Sequence, residues 1–477
     1  MQTRLSRLIA LSVCAVGWFG FPSRGEAIPL FANGQHVSCE QCHNAPPSLN
    51  AYGRYILATN FSKALDAHAQ MQSNLSDPLS LDVTGNGSNT PDPALPKTFV
   101  GLAQLLSGGY LGTDVTYYSS VPIVADGFPS PGVDQLWAAY NGFSHGDGSL
   151  QVGLFATPVF APWLSQSLSL AGYSLGAGPV GLNTVGVDDN RWGASYTQSG
   201  TNGLVANVAY LVNTGPLERA YDNNVNSSTA GAEGQSFVAS LQQMAIASHF
   251  TGGVAFMGGT FPLPSGANDA YNRAMALVSY STSPTYDLVA MALVGHDNNP
   301  NDGASGAAVS NGWSAEAIVA PTRWLHLDAR YERTNDGLGT VQNNYIADVA
   351  ISLRPNLVVT LENVSSVGAR PVMSYQVLYA GPWLQRAAAP PVAAAAGSAA
   401  ALAAGKQIYA TNCSACHGAS GQGGVGPSLV KIAQRKSHAD IVAFIEKPAG
   451  AIMPKLYPGT LTAAQVDQVA TFIEAMK

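Results

Sequence analysis

Two periodicities divide the chain. From about Thr98 to Trp383, apolar residues recur at every second position. In Trp324-Leu325-His326-Leu327-Asp328-Ala329-Arg330-Tyr331-Glu332, Leu325, Leu327, Ala329 and Tyr331 share one face, and His326, Asp328, Arg330 and Glu332 the other. Tyr345, Ala347, Val349, Ile351 and Leu353 repeat the pattern against Asp348, Ser352 and Arg354. Leu204, Ala206, Val208, Tyr210 and Val212 repeat it against Asn207 and Asn213, and Met373, Tyr375, Val377 and Tyr379 form one face of the last such segment. Successive strand residues point to opposite sides, so the alternation predicts strands that lie between an apolar and a polar medium. From Gly405 to Lys477 the period lengthens. Val466, Val469, Ile473 and Met476 fall at helical spacing, which predicts packing rather than a cofactor box. Helices are expected from Gly405, over 437–446 and over 462–476, the last with Thr462 as its cap.

A soluble sandwich would alternate in the same way. Three features favour a closed antiparallel β-barrel. Tight turns such as Arg354-Pro355-Asn356 and Thr282-Ser283-Pro284 contrast with long polar loops at 214–234 and 297–311. Sequence-adjacent strands alternate between these two kinds of connection, and Tyr and Trp recur near strand ends, where interface girdles lie. The fold class is therefore mainly β, with about 14–16 strands, an even number returning both barrel ends to one side. Before the barrel, helices are expected over 49–58 and around 62–71, and the Asn/Gly/Ser/Pro-rich run 73–96 reads as loop or linker. The Gly/Ser/Leu-rich stretch 161–190 could fold into the lumen, a point the pattern leaves open. Residues 385–404, rich in Ala and Pro, read as a tether.

The first residues read as a secretory signal: Arg4 and Arg7, an apolar core over 8–21, and Gly25-Glu26-Ala27 before the cleavage point. The expected division is a signal peptide at 1–27, an N-terminal module at 28–97, a barrel at 98–384, a linker at 385–404 and a helical domain at 405–477. Composition agrees. Charged residues are 11% of the chain, against about 25% in ordinary soluble domains, and no mature segment is apolar for long enough to span a bilayer as a helix. The net charge of -7 argues against nucleic acid as a partner.

Of five cysteines, Cys14 leaves with the signal. The other four fall in Cys39-Glu40-Gln41-Cys42-His43 and Cys413-Ser414-Ala415-Cys416-His417. Each is a C-x-x-C-H pattern: two thiols add to the vinyl groups of one porphyrin and the adjacent histidine ligates its iron. A disulfide or zinc half-site is the alternative, but export leaves no unpaired cysteine and places the thiols where haem c is attached. Two covalent haem c groups are expected. At the second, His417 is the proximal ligand and Met453, in a loop, the best distal candidate ahead of Met476 and His438; a thioether favours ferrous iron and raises the potential. At the first, His43 is proximal and the distal ligand is open, with Met71, His68 and His36 as candidates in that order.

The last seventy or so residues resemble small monohaem class I cytochromes c at Cys413, Cys416, His417, Gly426-Pro427, Met453-Pro454 and the terminal helix with Phe472. The resemblance implies an all-α fold around haem, Pro427 near the proximal histidine, and electron transfer rather than catalysis. At the other end, Phe31-Ala32, Cys39 to His43, Pro47, Leu49-Asn50 and Gly53-Arg54 resemble the fused outer-membrane cytochrome–porins of iron-oxidising bacteria. That resemblance covers the N-terminal module by motif and the barrel by architecture. It implies a monohaem segment in or at the lumen, oxidation of iron(II) outside the cell, and inward passage of the electron. The chain departs from it in a short barrel and an added cytochrome domain.

The expectation is an outer-membrane conduit. An extracellular donor, iron(II) by resemblance, would feed a barrel-associated haem, then the periplasmic C-terminal domain, then a soluble periplasmic carrier. Whether the chain acts as an iron(II):cytochrome c oxidoreductase is open at this point. Rivals are an outward conduit to extracellular acceptors, a solute pore that anchors cytochromes, and a soluble periplasmic dihaem oxidoreductase. The last would need a catalytic cluster in the middle region, where His145, His249, His296 and His326 are scattered. Asp188-Asp189 and Asp302 could gather cations, with solvated turns as the plainer explanation.

Overall fold

A computed structural model describes residues 42–62, 79–90, 97–111, 114–125, 127–129, 132–164, 166–177, 179–200, 202–212, 234–245, 249–282, 286–322, 324–354, 356–382, 399–423, 426–448, 453, 455–457 and 460–476. A short hairpin, β1 (His43–Ala45) and β2 (Ser48–Leu49), leads into helix α1 (Ala51–Ala58). The barrel follows: β3 (Leu79–Ser88), β4 (Thr98–Leu111), β5 (Val115–Ala125), the two-residue β6 (Phe128–Pro129), β7 (Gln135–Phe143), β8 (Gly148–Ala156), β9 (Asn190–Ser199) and β10 (Leu204–Val212). It continues through β11 (Gln235–Gln243), β12 (Phe250–Pro262), β13 (Asn268–Thr282), β14 (Tyr286–Asp297), β15 (Ala308–Thr322), β16 (Leu325–Asn335), β17 (Val341–Arg354), β18 (Leu357–Ser366) and β19 (Val372–Pro382). With β6 as a short addition on β5, sixteen strands form one closed antiparallel ring.

The ring closes between β19 and β3, where Gln376 faces Asn86 and Leu378 faces Thr84. This corrects the reading of 73–96 as linker and moves the start of the barrel from Thr98 to Leu79. Leu79, Leu81 and Val83 do alternate with Ser80, Asp82 and Thr84, but Gly85-Asn86-Gly87-Ser88 masks the signal with turn-forming residues. Pairing with the last strand supplies order that no local pattern could reveal. The expected helix around 62–71 lies outside the described residues.

The apolar and polar faces are inverted relative to a soluble protein. On β16, His326, Asp328, Arg330 and Glu332 are buried inside the ring while Leu327 is exposed. Val208, Phe237, Val254, Phe256, Val278, Leu288, Val294 and Leu361 are likewise exposed outward. An apolar outer surface is what a bilayer requires of a barrel, since lipid offers no hydrogen bonds and a closed ring leaves no unpaired edge. Among the described residues no helix is long and apolar enough to cross a membrane. Aromatic rings form two rows. Tyr210–Phe237 and Trp313–Tyr331–Tyr345 lie toward the long-loop end; Phe250–Tyr280 and Tyr140–Phe143–Tyr196 lie toward the tight turns. These are the expected girdles.

The lumen is filled from both ends. Residues 157–164, 166–177 and 179–189, with α2 (Ala161–Leu164) and α3 (Ser174–Ala177), fold inward and answer the open question about 161–190 for the described residues. Asn183 donates to Asp269 and Asp297, Ser169 and the Ala171 amide donate to Glu362, and the Arg330 guanidinium donates to the Ala171 and Gly172 carbonyls. The other filling is the N-terminal hairpin and α1, near the tight-turn mouth. Asn60 donates to Ser149 and Thr197, and Thr116 donates to the Asn60 carbonyl. Arg54 reaches across to Asp287 and Ser281 beside the 282–286 turn.

Beyond the barrel, α4 (Ala399–Asn412), α5 (Ser414–His417), α6 (His438–Glu446) and α7 (Ala463–Glu474) form the helical domain. Helix α4 begins six residues earlier than the expected Gly405, because the alanines after Ser398 favour helix once past the glycine and prolines. Thr462 caps α7 through a reciprocal pair with Gln465, and Ser437 caps α6 in the same way with Asp440. Val466, Val469 and Ile473 are buried against Ile408, Tyr409 and Ile441, so that stripe is packing.

Candidate haem sites

The first turn is built by close approach of α1 to the hairpin. Asn50 caps α1, its side chain accepting from the Gly53 amide at 3.0 Å, while its own amide donates to the Cys42 carbonyl at 2.9 Å. Gly53 stands where a Cβ would come within 2.1 Å of that same carbonyl oxygen, so only glycine lets the helix seat against Cys42. His43 is 6% exposed and its Nδ1 lies 3.1 Å from the Pro47 carbonyl. A carbonyl can only accept, so Nδ1 carries the proton and Nε2 keeps its lone pair. Burial lowers the His43 pKa to about 4, which keeps the ring neutral and fit to ligate iron.

The second turn repeats this chemistry. His417 Nδ1 lies 2.8 Å from the Pro427 carbonyl, and burial lowers its pKa. The ring packs so closely on Gly426 that a Cβ there would fall 2.8 Å from His417 Cε1. Tyr409 is buried on α4 and donates to the Gly418 carbonyl at 2.7 Å, fixing the end of the turn. Burial raises the Cys42 and Cys413 thiols to about 12, with Cys416 adding to the shift in each case.

The two turns meet. Cys416 is buried in the same apolar core as Tyr52, Tyr55 and Ile56 of α1, and Cys42 packs against that core. Met453 is half-buried against the core of the helical domain. His438 is occupied elsewhere, with Nε2 2.9 Å from Asp467 and Nδ1 2.9 Å from Glu474. Met476 packs in the same core as Val469 and Ile473. Cys39, His36, His68 and Met71 lie outside the described residues.

The N-terminal motif contains Gly53 and Arg54 with no sequence signal for the role of either, and the structure supplies both. Arg54 is 4% exposed, forms a two-pronged ion pair with Asp287, itself 2% exposed, and stacks over Trp163 with its guanidinium carbon 5.2 Å from the ring centre. It fastens the module to the wall and to the inner loop together. Asp302 binds Ser265, and Asp189 pairs with Arg191, as solvated-turn and loop roles require.

Residues 400–473 match the family described as cytochrome C oxidase, cbb3-type, subunit III. Over 72 residues the chain is 38% identical to cytochrome c-550 of Bacillus subtilis, covering 15% of this chain and 57% of that protein. Over 54 residues it is 35% identical to a cytochrome c-553-like protein of Synechocystis, covering 11% of this chain and 51% of that protein. The chain thus spans about half the length of the curated relatives it matches. Its C-terminal segment is a cytochrome c domain, a type that carries covalent haem c and transfers electrons. In backbone course the chain is similar to Salmonella typhi OmpF in complex with daunomycin, with TM-score 0.46, 14% identity and coverage of 63% of this chain and 96% of that chain. It is similar also to an anion-selective porin from Comamonas acidovorans, with TM-score 0.46, 11% identity and coverage of 63% and 98%.

Proposed function

We propose that this protein conducts electrons across an outer membrane, from a donor outside the cell to a periplasmic carrier, through two sites held side by side at one mouth of the barrel. The observation that carries this reading is the placement of the His43 turn inside the lumen with Cys416 of the second turn packed beside it. Cys39 and Cys42 would hold one haem with His43 as ligand; Cys413 and Cys416 would hold the other with His417 and Met453. Covalent haem supplies reversible one-electron exchange at each site.

The chain's own residues do the rest. The bilayer core is about 30 Å of insulator, and the closed ring replaces it with protein. The inner loop and the N-terminal module fill that ring, so the passage is built for electrons rather than solutes. Pro47 and Pro427 hold the two imidazoles in the ligating tautomer. Arg54 and Asp287 fix the first site against the wall. Tight turns face the periplasm in barrels of this kind, and both the module and the C-terminal end of the barrel lie at that mouth, which supports a periplasmic side for the cytochrome domain. Iron(II) is the donor we assign on the N-terminal motif.

The test is stopped-flow reduction of the purified protein by iron(II), read at the haem absorbance. Wild type should be reduced at both sites. C39S/C42S should keep the C-terminal haem spectrum yet lose its reduction by external iron(II). Unchanged reduction in that variant excludes the route.

A further inference from the structure

Charge is unevenly spread over the cytochrome domain. Between Glu362 and Asp440 the sequence holds no Asp or Glu, while Lys406, Lys431, Arg435 and Lys436 fall within the domain before Asp440. Lys431, Arg435 and Lys436 gather around the short 3-10 turn Ile432–Gln434, and all three are exposed. Acid that could cancel them is engaged elsewhere. The Asp440 carboxylate accepts from the Ser437 amide at 3.0 Å and from the Ser437 hydroxyl at 2.8 Å. Asp467 and Glu474 are held by His438. The basic turn is also fixed in place. Lys431 lies in the left-handed region at φ 56°, which few residues other than glycine adopt, and its amide donates to the Met476 carbonyl at 3.1 Å. Arg435 folds back to donate to the Ser428 and Val430 carbonyls, each at 3.3 Å. Ile432 anchors the turn in the core of the domain.

The position of the turn gives it a use. The segment that Arg435 clamps begins next to Pro427, whose carbonyl lies 2.8 Å from His417 Nδ1. Pro427 and Ser428 are themselves exposed. We propose that Lys431, Arg435 and Lys436 form the docking surface for an acidic electron-carrier protein, which meets the domain on the Pro427 side of His417. Resting on the conduit reading, this deepens it: the periplasmic carrier of that reading is anionic around its redox centre. Complementary charge steers encounter and fixes orientation more than it adds affinity, which suits a carrier that must leave after each exchange. A lipid surface fits less well. Interfacial helices combine basic residues with Trp, Phe or Leu, and the exposed residues between these cations are Ala433 and Gln434.

The full haem-loaded chain in detergent is reduced with ascorbate and mixed by stopped flow with oxidised plastocyanin, an acidic blue-copper protein. Each exchange oxidises one ferrous haem c to the ferric state and reduces one copper(II) to copper(I), so haem absorbance reads the rate. At low ionic strength K431E/K436E, which leaves the Arg435 clamp in place, should slow exchange at least tenfold. Calorimetry with redox-inert, cadmium-substituted plastocyanin should show binding weakened by a similar factor. Added salt should slow wild type and barely change the variant. Lys447 closes the opposite end of α6, so K447E should stay within about twofold of wild type. Reduction by iron(II) should be alike in all three proteins, so a lost docking effect leaves the conduit standing. Exchange that is equal in wild type and K431E/K436E, or slowed more by K447E, overturns the docking surface. Protection of the 428–437 amides from hydrogen exchange in phosphatidylglycerol nanodiscs, but not in phosphatidylcholine ones, would give the patch to lipid and overturn it as well.

Discussion

Cutting the Arg54–Asp287 pair should open the barrel. Both side chains are almost wholly buried, and Arg54 also donates to Ser281 and covers Trp163. Arg54→Ala leaves the Asp287 carboxylate inside the lumen with Ser281 as its remaining partner. Removing one partner of a buried pair costs about 3–5 kcal/mol. At about 1.4 kcal/mol per tenfold, that moves the docked-to-undocked ratio of the module roughly a hundred- to several-thousand-fold. The ring itself, closed by its own ladders, should survive. Planar-bilayer conductance of the purified protein is the assay: wild type should be nearly silent, and Arg54→Ala should show frequent openings. The double variant R54M/D287L removes both charges and should close again, since exchanging a buried pair for apolar residues of like volume is often neutral. Equal conductance of Arg54→Ala and wild type would refute the idea that this pair fastens the module.

Three further outcomes follow from local geometry. Gly53→Ala drives a methyl into the Cys42 carbonyl, so intact mass should show loss of haem at the first site with the second still loaded. Met453→Ala removes the proposed thioether ligand, and the C-terminal haem should turn high-spin with a lower potential by redox titration. Glu474 and Asp467 raise the His438 pKa, so the clasp it makes contributes fully below the ordinary histidine value, about 6.5, and is lost as pH rises through the raised folded value. Thermal melting of the cytochrome domain across that window should therefore drop more in wild type than in His438→Gln; parallel curves would remove the clasp from the account.

The barrel was legible because lipid and lumen impose opposite polarities on alternate residues, as β16 shows. The signal weakens where the lumen is filled with protein. On β10, Val205, Ala209 and Leu211 face inward and are as apolar as Leu204 and Val208 facing lipid. Strand β3 escaped for a different reason, its glycines and asparagine hiding a short alternation that only pairing with β19 completes. Both C-x-x-C-H motifs stand in the sequence itself. Their meeting does not, because more than 350 residues separate them in the chain and the contact arises from where barrel closure returns the chain. The Arg54–Asp287 pair, 233 residues apart, was hidden for the same reason.

The central claim is that this chain moves electrons through a membrane. Reconstitution into liposomes holding an entrapped oxidised cytochrome c, with iron(II) supplied only outside, tests it most directly. The account predicts reduction of the entrapped acceptor by wild type and none by C39S/C42S. An acceptor that stays oxidised with the fully haem-loaded wild-type protein would contradict it.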